Sequence, residues 1–513
     1  MYLDTAARLA FPVSQDFGKS VFALTFITST KSCRRSSTDC GMDGDGCRPF
    51  HSATFAFRCP ADCRDARIIL PETIGDKEYN YRSIVVGGST TTENEATPVY
   101  RGDSFICGAA LHAGVTSNFR GGGGVVSLTG EHNNFESAGS NGISSLNFTP
   151  SFPISFTFLE GITGSYLCND PRWELLSMTL LFTVTISLFT TKPSVFFGAT
   201  FISIYFCIAL ALDPQDDDAE NYFDILSVAF RGFLPAAFVG LVIFHFCIRH
   251  TLNNLTAQIE KTILWLGGCW LGALNNLTFD KLPIQRLTPQ DLRQPGAILT
   301  VAIITLAVSA IAIFQAWALR VEGRLPQYLV FYVVVGILLL VLMSIPNMNV
   351  RIHHYILALI LLPGTALQTR PSLLYQGLLV GLFISGIARW GFDSVLQTSV
   401  DLFGKDFGSP IPKIDIPTIS SIDNSITFSF GNISQGYNSM SVVVNDVERF
   451  RGSEDHNDDL FTLTRYKADE PEYFRFAYVK YGITKEASVG KFTNPGIWQI
   501  DGTWIPPEPK AAD

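Results

Sequence analysis

Charge is scarce in this chain. Only 16% of its 513 residues are Asp, Glu, Lys or Arg, against about 25% in soluble globular proteins. Positive charge is the scarcer sign: 37 Lys and Arg stand against 46 acidic residues, a net charge of −9. No basic face is left to neutralise phosphates, which argues against a nucleic-acid partner. Catalytic signatures are lacking too. No Ser/His/Asp set, HExxH metal motif or carboxylate pair stands at working spacing, and no Lys-Ser/Thr follows the glycine run Gly121–Gly124 to make a phosphate loop. The chain is therefore expected not to be an enzyme and to carry no cofactor. Its length exceeds one ordinary domain, so two or three units are expected.

Apolar sequence is plentiful, and it is concentrated. Residues 1–172 and 400–513 read as soluble protein, whereas 173–392 reads as membrane. A transmembrane helix needs about 20 mostly apolar residues to cross a hydrocarbon core about 30 Å thick. Such runs occupy 174–191, 193–212, 226–248, 297–319, 326–345, 352–369 and 373–391, and Thr262–Leu274 is a shorter eighth candidate. Pro193, Pro326 and Pro346 fall at run boundaries; Pro235 and Pro363 fall inside runs, where neighbouring helices can tolerate a kink. A helical bundle of seven or eight spans in contact with the lipid bilayer is the expectation for 173–392.

Polar groups at membrane depth are costly and therefore informative. His353 and His354 open one run and Arg389 closes another. They read either as a ligand, ion or proton-sensitive site, or as interfacial anchors that snorkel to the headgroups. Gly377, Gly381 and Ser385 form a small-residue step that lets helices approach closely. Cys207, Cys247 and Cys269 lie in apolar runs and read as reduced, packed residues.

Seven of the ten cysteines precede the first span. Their density in a polar, Gly/Ser/Asn-rich region points to disulfides and an oxidising compartment, with a zinc site at Cys59 and Cys63 as the rival reading. Residues 100–115 read YRGDSFICGAALHAGV. Around them, in order, stand CPADC at 59–63, Asp103-Ser104, Ile106-Cys107, Ala109-Ala110, His112-Ala113-Gly114-Val115, Gly121–Gly124 and Asn141-Gly142-Ile143-Ser144-Ser145. This pattern resembles the LCCL domain over residues 47–160. The resemblance implies an α/β fold, a central helix flanked by strands, with two disulfides at Cys47–Cys59 and Cys63–Cys107. It also implies a polysaccharide or lipid ligand, because LCCL relatives are associated with glycan or lipopolysaccharide binding. An LCCL module ahead of many spans resembles the fungal LCCL-containing membrane proteins, a likeness that brings no catalytic or transport mechanism with it.

Local chemistry agrees. Ser104 reads as a helix N-cap, Ile106, Ala109, Ala110 and Ala113 as a small-residue helix face, and Gly114 as the stop. Arg101-Gly102-Asp103 spells an integrin tripeptide, but Asp103 belongs to the LCCL pattern, so coincidence is the favoured reading. His112 reads as a packed histidine ahead of a metal ligand or base. Residues 1–46 form an irregular segment with only a short apolar stretch, Val21–Ile27, and the expectation is that the true beginning is missing.

After the Pro-rich linker at 409–418, strands return at Ile426–Phe430, Met440–Val444, Phe461–Thr464 and Tyr473–Tyr481. Their alternation predicts an all-β, sandwich-like domain over 418–506. The segments EYFRFAYVKYG and GKFTNPGIWQIDGTW resemble the late strands of a fibronectin type III module. Glycosylation sequons stand at Asn147 and Asn432. Eight spans place both terminal domains outside the cytoplasm; seven place the C-terminal one inside it. The Lys/Arg loop count is nearly unbiased for eight and favours a cytoplasmic C-terminus for seven, and the fibronectin likeness tips the reading to eight. A multi-pass protein of the plasma membrane or an endomembrane is expected, with the LCCL module extracytoplasmic. Its expected role is recognition, with a transporter or channel as the alternative.

Overall fold

A computed structural model of the chain describes residues 42–43, 54–68, 71–90, 97–159, 170–212, 222–279, 292, 294, 296–346, 348–398, 408–431, 433–452, 460–465, 467, 469–481 and 487–509. Two units result. One joins the N-terminal region up to Asp170 with the C-terminal region from Ser399; the other holds Pro171–Asp216 and Asn221–Thr398.

The N-terminal region contains β1 (Thr54–Cys59), β2 (Glu72–Ile74), β3 (Lys77–Tyr79), β4 (Tyr100–Arg101), helix α1 (Ile106–His112), β5 (Gly122–Leu128), β6 (Gly139–Ser140), β7 (Ile143–Ser144) and β8 (Ser155–Phe158). Strands β1, β5, β8 and β4 form an antiparallel sheet in that order, with Cys59 opposite Gly122 and Thr54 opposite Ser127. Every residue of α1 is buried, and its alanines are what let it sit close to the sheet. Gly114 ends the helix region in the left-handed conformation, with φ 76°. Ser104 is not the helix cap. Phe105 holds that position, while the Ser104 hydroxyl accepts from the Val86 amide at 3.0 Å. The short polar side chain is spent on a neighbouring segment before the helix begins. At Gly121, with φ 64°, a Cβ would collide with the carbonyl oxygen of Cys59.

The helical unit contains α2 (Arg172–Phe189), α3 (Pro193–Leu212), α4 (Ile225–Leu252), α5 (residues 258–273), α6 (Ala297–Val321), α7 (Leu325–Met343), α8 (His354–Thr365) and α9 (Arg370–Trp390). Among the described residues, six of these are long and apolar enough to cross a membrane: α2, α3, α4, α6, α7 and α9. The run expected at 352–369 is a shorter helix, α8, ending in a 3-10 turn at Leu362–Thr365 that contains Pro363. Helix α9 is the hub, and α5 lies along it. A Cβ at Gly377 would collide with the Trp265 carbonyl oxygen, and one at Gly381 with that of Cys269. Two hydroxyls of α2 donate to its own backbone: Thr179 to the Leu175 carbonyl at 2.8 Å and Thr183 to that of Thr179 at 3.0 Å. Helices α6 and α7 instead present apolar side chains outward, such as Leu306 and Leu340, as suits lipid contact. A two-residue ladder, β9 (Asn349–Val350) with β10 (Leu396–Gln397), ties the segment before α8 to the one after α9.

The C-terminal region is strand-rich. Strands β11 (Thr418–Ser420), β12 (Ser425–Ser429) and β15 (Leu460–Thr464) form one antiparallel sheet. A second sheet runs β14 (Val447–Arg451), β13 (Ser439–Val444), β16 (Glu472–Tyr481), β18 (Gly496–Trp498) and β19 (Trp504–Ile505), with β17 (Ala487–Val489) also on β16. Ile426, Phe428 and Phe461 from the first share a core with Val442, Phe474 and Phe476 from the second. Between β13 and β14 the chain turns through Asn445 and Asp446 alone, both at positive φ (50° and 62°). That is the two-residue primed turn whose twist matches a hairpin, and Asn and Asp tolerate it.

Candidate functional site

Two stretches of the N-terminal region build an open cleft. The Phe135 amide donates to the Phe148 carbonyl at 2.8 Å and the Phe148 amide returns the bond at 2.9 Å. Both phenyl rings turn into the core. Alternation then leaves Asn134, Glu136, Ser137, Asn147 and Thr149 exposed around an open cleft of about 270 Å³. The floor is paired backbone and the walls are amide, carboxylate and hydroxyl groups, a set able to bond a polyol or a polar headgroup. Asn147, the sequon residue, lines this cleft; Asn432 lies outside the described residues.

The motif residues stand behind this surface as framework. His112 is buried, with Nδ1 2.8 Å from the Tyr100 hydroxyl and Nε2 3.0 Å from the Ala138 carbonyl oxygen. Burial pushes the Tyr100 hydroxyl well above the ordinary tyrosine range. Ala110 is fully buried in α1. Cysteine pairing departs from expectation. Cys59 is bonded to Cys107, with Cα atoms 5.4 Å apart, in place of Cys47–Cys59 and Cys63–Cys107. The end of β1 meets the start of α1, so Cys59 reaches the helix, while the Cys63 thiol donates to the Pro60 carbonyl at 2.9 Å. Sulfur atoms of Cys59, Cys63 and Cys107 all lie within 4.8 Å of one another. Cys47 lies outside the described residues.

The family model of the LCCL domain matches residues 31–152. The chain is also 33% identical to the uncharacterized protein YIL067C of Saccharomyces cerevisiae, over 92% of this chain and 74% of that one. The chain belongs to the fungal LCCL domain-containing membrane proteins. No solved structure matches it.

In this LCCL protein the tripeptide Arg101-Gly102-Asp103 is no exposed ligand. Arg101 is 1% exposed and Asp103 6%. The Arg101 guanidinium donates to both Asp103 oxygens, at 2.8 and 2.7 Å, and to Asp446 Oδ2 at 2.8 Å. It also lies over the Phe148 and Phe152 rings, 4.3 and 4.6 Å from their centroids. On the other side of Asp446, Arg475 donates to Oδ1 at 2.8 Å. Burial alone disfavours a charged Asp446, but Arg475 and Arg101 outweigh it and hold the carboxyl below the ordinary aspartate range. Sequence reading missed this network, because Arg101 and Asp446 stand 345 positions apart.

Within the helical unit, His353 caps α8, His354 opens it, and Arg389 lies in the last turn of α9. His353 stacks on Tyr355, with ring centroids 5.8 Å apart, and Arg389 is buried. A second polar group was not legible in advance. Trp265 donates to Gln376 Oε1 at 3.0 Å, and Gln376 Nε2 donates to the Thr251 hydroxyl at 2.9 Å, all buried. These amide and hydroxyl groups satisfy one another and hold α4, α5 and α9 together.

Proposed function

We propose that this protein is a membrane-anchored recognition protein, not an enzyme, whose LCCL module binds polysaccharide or a lipid headgroup while the helical unit holds it in the bilayer. The cleft between Asn134–Ser137 and Asn147–Thr149 carries the reading, because its exposed polar side chains rise from paired backbone that need not reorganise on binding. Glycosylation at Asn432 belongs to the same reading, as does an extracytoplasmic LCCL module, whereas a glycan on Asn147 would occupy the cleft and compete with its ligand. The C-terminal sheets, read as a fibronectin type III-like sandwich, would serve as a spacer or second binding surface. Seven or eight crossings become eight if α5 and α8 cross alongside the six long helices.

The test is binding by the full chain in nanodiscs, before and after enzymatic deglycosylation, to a polysaccharide panel and to neutral and anionic vesicles. Retention of at least one probe is expected, weakened about tenfold or more by the Asn134→Ala/Glu136→Ala pair. Binding to none, or binding indifferent to that pair, overturns the assignment.

A further inference from the structure

The N-terminal and C-terminal regions are separated in sequence by the whole helical block, yet they share a core and a buried ion network. Val447, fully buried, belongs to the same apolar cluster as Ile74, Ile84, Val86, Phe148 and Phe152 of the LCCL region. Tyr473 packs against that cluster. Beside them the Asn445–Asp446 turn carries one carboxylate to the LCCL region, where the Arg101 guanidinium and the Gly75 amide at 3.0 Å bind it, while Arg475 of its own region holds the other oxygen. A further bond runs from Asn133 Nδ2 to Glu470 Oε1 at 2.7 Å.

This contact differs in kind from an incidental touch between surfaces. Asp446 is 4% exposed and Arg101 1%. Desolvating a carboxylate and a guanidinium is strongly unfavourable unless each finds its partners, so charges of this kind are buried where the partner is always present. The turn geometry is also committed. Asn445 accepts from the Tyr473 amide through its side chain at 3.0 Å and donates its own amide to the Tyr473 carbonyl at 2.9 Å. Backbone at Asn445 is therefore tied to β16, and the adjoining Asp446 carboxylate is held by Arg101, Arg475 and Gly75.

We infer that the Asp446 turn is a permanent lock between the LCCL region and the C-terminal β region, so that both lie on one side of the membrane and the intervening chain crosses it an even number of times. The six long helices are an even set. Helix α5 runs beside α9, with Glu260 on Arg370 at 2.6 Å and, just past the end of α5, Asn275 accepting from Ser385 at 2.8 Å, and α8 also packs on α9. If both cross, eight is even as well. Adding one without the other gives seven, which would put Arg101 and Asp446 on opposite sides of the bilayer.

The inference is independent of any ligand. Its test uses the full chain in sealed microsomes. Single cysteines replace two exposed residues, Glu131→Cys in the LCCL region and Ile422→Cys in the β region, the latter 96% exposed. Each is treated with a membrane-impermeant maleimide and compared with the parent chain. Labelling of both from the same side is expected; labelling from opposite sides overturns the inference. A second variant, Asn133→Cys/Glu470→Cys, replaces a hydrogen-bonded pair. After proteolytic cleavage between the two regions, the halves are expected to stay joined until reductant is added. Same-side labelling with halves that separate before reduction overturns the lock while leaving the even count standing.

Discussion

The central contacts of the two units bury polarity in different ways, although the helical unit also buries the cations Lys261 and Arg389. In the LCCL and β unit, buried charges are paired: Arg101 with Asp103 and Asp446, Asp446 also with the half-buried Arg475, and Glu448 with the half-buried Arg451. In the helical unit, the buried groups of the α4, α5 and α9 contact are neutral amides, indoles and hydroxyls, and close approach rests on Gly377 and Gly381. The difference follows from the medium in which each unit folds. A chain folding in water can bring ions together before they are sealed off. A helix entering lipid must carry groups whose desolvation is tolerable from the start.

Three substitutions or conditions sharpen this contrast. Arg101→Ala is expected to have the largest effect, because it leaves Asp446 and Asp103 buried with too few partners. A loss of about 3–5 kcal/mol is expected for the LCCL and β unit, read as a lowered denaturant midpoint for tryptic protection of those regions. If the midpoint stays put, the lock contributes nothing. Gly377→Ala should come next. Its methyl meets the Trp265 carbonyl oxygen, so α5 must shift away from α9. Overpacking of this kind costs about 1–3 kcal/mol, visible as a lower melting temperature in detergent with the LCCL region still protected. Equal loosening of both units would erase the contrast. Acid should act last and only on the ionic unit. The Asp446 carboxyl is held below its unfolded value of about 3.9, so its stabilisation is full above that pH. The contribution is lost as pH falls through the folded value. Protease protection of the LCCL and β regions should therefore fall in strong acid before that of the helices does.

Sequence patterns carried the modules further than they carried the joints between them. The LCCL framework was legible because Cys59, Cys107, His112 and Gly114 each satisfy a local demand at a fixed offset. Long apolar runs were legible because length and composition alone define them. Cysteine pairing was not, since Cys59 and Cys63 are near neighbours in sequence and only the fold chooses which reaches Cys107. Ser104 misled because the same short hydroxyl that caps helices also bonds any nearby amide, here that of Val86. The lock was invisible for a plainer reason. A lone Asp in a two-residue turn reads as turn chemistry, and its partner lies beyond the whole membrane block.

The place of Val447 in the LCCL cluster has a consequence for how the chain is made. Ribosomes add about 5–20 residues per second, and 345 positions separate Arg101 from Asp446. The LCCL region therefore waits roughly 20–70 s after Arg101 is polymerised before its last core residue and its counter-ion exist. During that interval Phe148 and Phe152 lack the cover of Val447, and Arg101 has only Asp103. A nascent chain stalled ahead of its C-terminal strands carries an unfinished apolar cluster, the kind of surface a chaperone binds.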